Sequence, residues 1–328
     1  MEKFAYVTNT DSNDISVISL SNQKEIGRIP VGGSPRGGMA IDAKGIYGYV
    51  SNCAGNTVSV IDVLNNRETG RISVGNSPRG VVLSPDNSLL FVSNSGSNDI
   101  SIINVNNREE LIRIPVGDNP RALSITPNGK YVNIPCWGAD SLSIIEVNYD
   151  VPEKSREVYR VFLGRDARPY HAFSDYDNKL VYTANTHKHS ISVVNLLDLK
   201  LEREISVGYG PRAVIADAER NLLYVSCEAS NSVSVVDKAN WKEIKQIPIG
   251  PTPRGLKIDS PMLFVSSFTR ALSKDLMSQA NSLSVVDLRK FENIGTIKTG
   301  LGPCSISIYD PAFKPQNSKQ YSEQIVSV

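Results

Sequence analysis

The sequence predicts an all-β protein, a seven-bladed β-propeller of four-stranded antiparallel blades in one domain. Three observations predict it. Runs of β-branched and aromatic residues, 4 to 6 long, are bounded by Asn, Asp, Gly and Ser, the grammar of strands rather than helices. An anchor run recurs seven times, at Tyr6-Val7-Thr8-Asn9, Tyr49-Val50-Ser51-Asn52, Phe91-Val92-Ser93-Asn94, Tyr131-Val132-Asn133, Tyr182-Thr183-Ala184-Asn185, Tyr224-Val225-Ser226 and Phe264-Val265-Ser266. Successive anchors stand 40 to 51 residues apart, and a period of roughly 40 to 50 residues with several short strands per unit belongs to propellers.

Within a unit the strands are named a to d from the channel outward. In the third unit the spacing predicts strand a at Val81 to Leu83, b at Leu89 to Ser93, c at Ile100 to Asn104 and d at Leu111 to Val116. Strand c alternates serine with Ile, Val or Leu, at Ser16, Ser59, Ser101, Ser143, Ser192, Ser234 and Ser284. One small and one bulky face lets blades approach closely, so these hydroxyls read as structural rather than catalytic. The first unit begins at strand b, Phe4 to Thr8, whereas Ser305 to Tyr309 is a strand a with nothing after it. The C-terminal strand is therefore expected to complete the first blade and remove the open edges of the ring. The propeller then spans residues 1–310, and 311–328 is a polar tail.

Composition narrows the function classes. The 328 residues carry 35 Lys and Arg against 34 Asp and Glu, so overall charge predicts no attraction to nucleic acid or membrane, and any electrostatic function is local. No apolar run approaches the roughly 18 residues of a membrane span. The chain enters its first strand by Phe4, leaving no room for a secretory leader, so a cytoplasmic protein is expected unless a leader was removed. Cys53, Cys136, Cys227 and Cys304 lie in different units without C-x-x-C spacing, which indicates neither a zinc site nor a disulfide framework. No nucleotide or haem motif is present, and no cofactor is expected.

The Tyr-Val-Thr-Asn anchor, the Ser-Asn-x-[Ile/Val]-Ser-Val-[Ile/Val]-Asp core and the Ile-Pro-Val-Gly-x-x-Pro-Arg-Gly close resemble the YVTN β-propeller repeat family over nearly the whole chain. That family mixes surface proteins, binding proteins and lactonase-like or lyase-like enzymes, so the resemblance implies fold rather than one activity. Its lactonase branch resembles Pro-Arg-His at the start of a blade and Tyr-Val-x-Asn-Glu at a second strand. Here Pro169-Tyr170-His171 matches the His and not the Arg, and Cys227-Glu228 matches the Glu one blade later. Arg212 is the nearest candidate for the missing Arg.

The d-to-a and b-to-c loops of a propeller emerge on one face, and that channel mouth is the expected site. Five d-to-a turns carry Pro-Arg, placing Arg36, Arg79, Arg121, Arg212 and Arg254 around it. They either form a cationic mouth for a carboxylate or phosphate or pair within the scaffold. Two turns break the rule, at Pro303-Cys304 and Pro169-Tyr170-His171. His171 starts an innermost strand, where it either reaches the channel or bonds to a neighbouring blade. His187 and His189 fall in the b-to-c loop of the same blade, with solvated loop residues weighed against a metal site. Trp137 and Cys136 stand at the fourth mouth loop, Cys136 as a candidate nucleophile. Glu228 near a His offers two protonation roles, or an ion pair with Arg212 or Arg254. The loop from Phe268 to Ala280, which makes its unit ten residues longer than the regular one, has the apolar spacing of a short lid over the mouth, and an extension around Tyr149 to Val158 lies on the opposite face.

These residues support a small-molecule site across blades 4 to 7. Arg212, His171 and Glu228 are the catalytic candidates, and Arg36, Arg79, Arg121, Arg254, Trp137, Tyr170, Phe268, Cys136, His187 and His189 the binding candidates. The reaction would be hydrolysis or lyase chemistry on an anionic or carbonyl-bearing ligand. The alternative is a non-catalytic propeller that presents its rim to a protein partner.

Overall fold

The computed structural model describes residues 2–268 and 280–312. Among them are seven four-stranded antiparallel sheets, arranged as the blades of one ring. Blade 3 shows the regular pattern, with strands a to d at Pro78–Leu83, Leu89–Asn94, Asp99–Asn104 and Glu109–Pro115. Blade 1 joins the two ends of the propeller: strand a is Pro303–Tyr309, and strand b is Phe4–Asn9. They pair antiparallel from Phe4↔Tyr309 to Thr8↔Ser305, the closure expected from the sequence. No helix of the described residues is long and apolar enough to cross a membrane.

The core lies in the seams between blades. Ala5, Val7 and Ile18 of blade 1, for example, pack with Phe264, Leu283 and Val285 of blade 7. The anchor aromatics Tyr6, Tyr49, Phe91, Tyr182 and Tyr224 are buried in such seams.

Polar groups of the anchor staple these seams. Asn94 Nδ2 donates to Ser101 Oγ at 2.8 Å, and Asn9, Asn52 and Asn185 bond the strand-c serine of their own blades in the same way. The strand-c serine also accepts the N–H of a glycine in the turn leaving the preceding blade, as Ser16 Oγ does from Gly300 at 3.0 Å. A Cβ on Gly300 would stand 2.4 Å from Asn9 Nδ2, so only glycine lets that turn approach. The anchor serine works the next seam, where Ser93 Oγ accepts from Gly80 N at 3.0 Å and donates to the Arg121 carbonyl at 2.7 Å. The serines are thus structural, as expected, but through hydrogen bonds and not merely through small size.

Two seams lack that hydroxyl. Blade 4 has Pro135 in place of the serine, and there Ala122 N donates to Tyr170 O at 3.2 Å while Ala172 N donates to Ala122 O at 3.0 Å. The backbones of blades 4 and 5 bridge directly, and regular strand a of blade 4 shrinks to Ser124–Ile125. Blade 5 has Ala184 in that place, and there the imidazole of His171 reaches across, its Nδ1 accepting from Val214 N of blade 6 at 3.3 Å. The extension of blade 4 forms a 3-10 turn at Pro152–Lys154, and Tyr149 Oη donates to Gly129 O at 3.0 Å on the face away from the arginines.

Candidate functional site

The residue after each turn proline opens an innermost strand, and around the ring these residues are Arg36, Arg79, Arg121, Tyr170, Arg212, Arg254 and Cys304. All line one cavity system. Its outer part is a funnel of about 300 Å³ bounded by the five guanidiniums and the rings of Trp137, Tyr170 and Phe268. Beneath it lies a throat of about 40 Å³, which shares the five arginines and Tyr170 and has Ala122, His171, Ala213, Gly255, Cys304 and Ser305 where the funnel has Trp137 and Phe268. The two loop sets do share one face, as expected.

The aromatic rings space the charges. Tyr170 lies between two guanidiniums, Arg212 at 4.4 Å and Arg121 at 5.2 Å from the ring centre, and Arg121 also faces Trp137 at 5.2 Å. Arg254 sits 3.7 Å over Phe268. Such contacts attract a cation to a ring face and hold it in a defined place. Arg168 buttresses Trp137, 4.7 Å over its ring and donating to its carbonyl at 3.4 Å. The sequence reading passed over Arg168, although a signal was present. It occupies a left-handed turn position, φ 49°, where Ser34, Ser77, Asn119 and Thr252 stand in other turns.

Charge is unevenly balanced within the ring. Glu228 accepts from Arg212 Nε and, at 3.3 Å, from Arg254. Burial would raise its pKa, but the charge and hydrogen bond of Arg212, joined by those of Arg254, hold it below the usual carboxylate range. Arg36, Arg79 and Arg121 have no ion-pair partner among the described residues. Arg79 Nε donates to Ser95 Oγ at 2.9 Å, while the buried Nε atoms of Arg36 and Arg121 have no hydrogen-bond partner among the described residues. Burial, then the neighbouring charges of Arg79, Arg212 and Arg36, pulls Arg121 down to about 10. At Tyr170, burial and Cys304 push the phenol upward, yet Arg212, Arg254 and Arg121 outweigh them and lower its pKa. The mouth is a concentrated positive site.

The acid–base pairing expected of His171 and Glu228 is not what the structure builds. Glu228 is bonded to guanidiniums, not to the imidazole. Burial pushes His171 down to about 3, so the ring is neutral at pH 7. Its Nδ1 accepts a backbone N–H, which places the proton on Nε2. That buried Nε2 has no partner among the described residues, and His171 is among the residues that line the throat.

Three further candidates lie elsewhere. Cys136 is fully buried, its thiol pushed up to about 11 by burial and 3.3 Å from Ser143 Oγ within its own blade. It occupies the place of the anchor asparagine and is a seam residue, not a nucleophile at the mouth. His189 replaces a turn asparagine: its Nδ1 accepts from Gly210 N at 3.1 Å, as Asn56 Oδ1 does from Ser77 N at 2.8 Å. Exposed His187 meets Trp137 edge-on with ring centres 5.8 Å apart. Among the described residues no three His, Cys, Asp or Glu side chains gather to hold a metal ion. The expected lid from Phe268 to Ala280 lies, apart from those two end residues, outside the described residues.

Comparison with known proteins gives the same picture. Residues 70–153 match the family model described as "Lactonase, 7-bladed beta-propeller". No curated protein matches the sequence. Among solved structures, a periplasmic gluconolactonase of Pseudomonas aeruginosa, PpgL, superposes with TM-score 0.77 at 14% identity over 94% of this chain and 99% of that one. A candidate 6-phosphogluconolactonase of Bacteroides uniformis gives TM-score 0.76 at 14% identity over 94% and 100%. Hydrazine synthase of Kuenenia stuttgartiensis gives 0.68 at 19% identity over 83% and 90%. At such identities the likeness is one of fold. Residues 70–153, from the end of blade 2 into blade 4, thus resemble the lactonase propeller family, and the chain as a whole is a seven-bladed β-propeller.

Proposed function

We propose that the funnel binds a small anionic molecule bearing a carboxylate or phosphate and a lactone-type carbonyl, and that ring opening of that carbonyl is the reaction. The observation that carries this is the arc of Arg36, Arg79 and Arg121, three guanidiniums without an ion-pair partner among the described residues at one concave mouth. Guanidiniums bind carboxylate and phosphate oxygens in a bidentate geometry, and a concave site of this size favours a small molecule over a macromolecular partner.

The family signature supports the reaction class. In lactone hydrolysis, water adds to the carbonyl carbon, the ring C–O bond breaks, and the released alkoxide takes up a proton. Arg212 and Arg254 stand where positive charge can stabilise the oxyanion. Glu228 is the carboxylate beside them able to take a proton from water, though its lowered pKa makes it a weak base. His171 Nε2–H donates from the throat to an inner ligand oxygen.

Calorimetric titration with mono- and dicarboxylates, sugar phosphates and aldonolactones, followed by pH-stat assay of any lactone that binds, tests both parts. Removal of one of Arg36, Arg79 or Arg121 by alanine substitution is expected to weaken binding by about tenfold or more, the scale of one charge-assisted hydrogen bond. Binding is also expected to weaken with salt. Absence of heat with every anion, or affinity indifferent to all three substitutions, would discard the proposal.

A further inference from the structure

Cys304 holds the seventh position of the arginine ring. Its main chain is fixed, since its carbonyl accepts from Ser266 Oγ at 3.1 Å, while the half-buried free side chain lines the throat with Arg36 and Arg254. Two deeply buried polar side chains that line the same cavity each keep a polar atom without a partner among the described residues. Arg121 is 9% exposed and its Nε is unbonded; His171 is 1% exposed and its Nε2 is unbonded. The other thiols differ in setting: Cys136 and Cys227 are fully buried in seams, and Cys53 does not line the cavity.

We propose that Cys304 is a covalent modification site for small carboxylate-bearing electrophiles, which the guanidinium ring gathers and orients, and that loading it fills the throat beneath the funnel. The step is a displacement. The sulfur forms a bond to the electrophilic carbon, the bond from that carbon to its leaving group breaks with its electron pair, and the thiol proton goes to solvent. Arginine charge raises the local concentration of the anion beside the sulfur. The inference rests on the ring alone and not on lactone chemistry.

Matched probes differing in charge test it: iodoacetate, an anion, and iodoacetamide, its neutral analogue. The full folded chain is labelled with each, and the rate at every cysteine is followed by peptide mass. At Cys304 the ratio of iodoacetate to iodoacetamide rate is expected to exceed, by about tenfold, the ratio at the same cysteine in the urea-unfolded chain, and to fall toward it in about 1 M salt. Inorganic phosphate is expected to slow iodoacetate labelling at Cys304, and Arg36→Ala to lower the ratio. A folded-state ratio equal to the unfolded one, or a Cys304 that neither reagent labels in the fold, would overturn the proposal. A chain that labels selectively yet gives no heat with any carboxylate, phosphate or lactone keeps this site and loses the ligand binding proposed above; the reverse outcome separates them the other way.

Discussion

His171 shows how one side chain serves two tasks. Its Nδ1 closes the seam to blade 6 where Ala184 lacks a hydroxyl, and its residue lines the throat. Burial lowers its pKa from 6.5 to about 3, so between those values the unfolded chain binds more protons than the folded one. Stability is therefore fully present above pH 6.5 and falls as pH drops toward 3, by on the order of 1 kcal/mol per pH unit from this group. His171→Gln, which carries no titrating group, is expected to flatten that acid dependence of Tm, and an unchanged pH profile would contradict the assignment. In the sequence, His171 was visible only as a break in the repeat, with a channel role and a seam role both open. The structure shows the seam bond, which was not legible because the missing hydroxyl at Ala184 is a fact about the neighbouring strand. The pairing of Glu228 with Arg212 or Arg254 was legible as an alternative, since acid and base stand on adjacent strands of one face.

At the scale of strands and turns, the repeat is a hydrogen-bonding code for seams. The anchor run was legible as a strand because its alternation and its bounding Asn are local signals. What its Ser and Asn bond to was not, because Ser93 meets Arg121 of another blade and Ser16 meets Gly300 from the far end of the chain. The Gly300 turn offers a direct check. Gly300→Ala places a methyl 2.4 Å from Asn9 Nδ2, and overpacking of this kind costs about 1–3 kcal/mol. Urea denaturation is expected to show a lower midpoint with an unchanged slope. Gly27, with nothing within 4 Å of an added Cβ, supplies the control: Gly27→Ala is expected to leave the midpoint nearly unchanged.

The whole ring depends on one strand contributed from the other end of the chain. Ending the chain at Gly302 removes the seven-residue strand Pro303–Tyr309 together with all that follows it, leaving strand b of blade 1 with an unpaired edge beside the channel. Such a chain is expected to lose its cooperative unfolding transition and to associate through the exposed edge, measured by circular dichroism and light scattering. A truncated monomer with an unchanged midpoint would show that the other blades hold closure by themselves. This feature was legible because both ends of the sequence were incomplete in complementary ways. The shape of the funnel was less so, since the sequence placed five arginines on a circle without showing which of them Glu228 would neutralise.

The pairing that closes blade 1 also sets how the molecule answers to mechanical load. Phe4 opens one strand and Tyr309 ends the other, and they face each other at the same end of the ladder. Force applied through residues 3 and 310 therefore meets the hydrogen bonds of that ladder one after another, as a zipper, and never all together in shear. A ring that resists heat and denaturant as a single cooperative body is expected to open at low force in a pulling experiment along this axis. The first event would be release of the strand that carries Cys304, so tension on the chain ends would take the seventh member out of the arginine ring before any blade is lost.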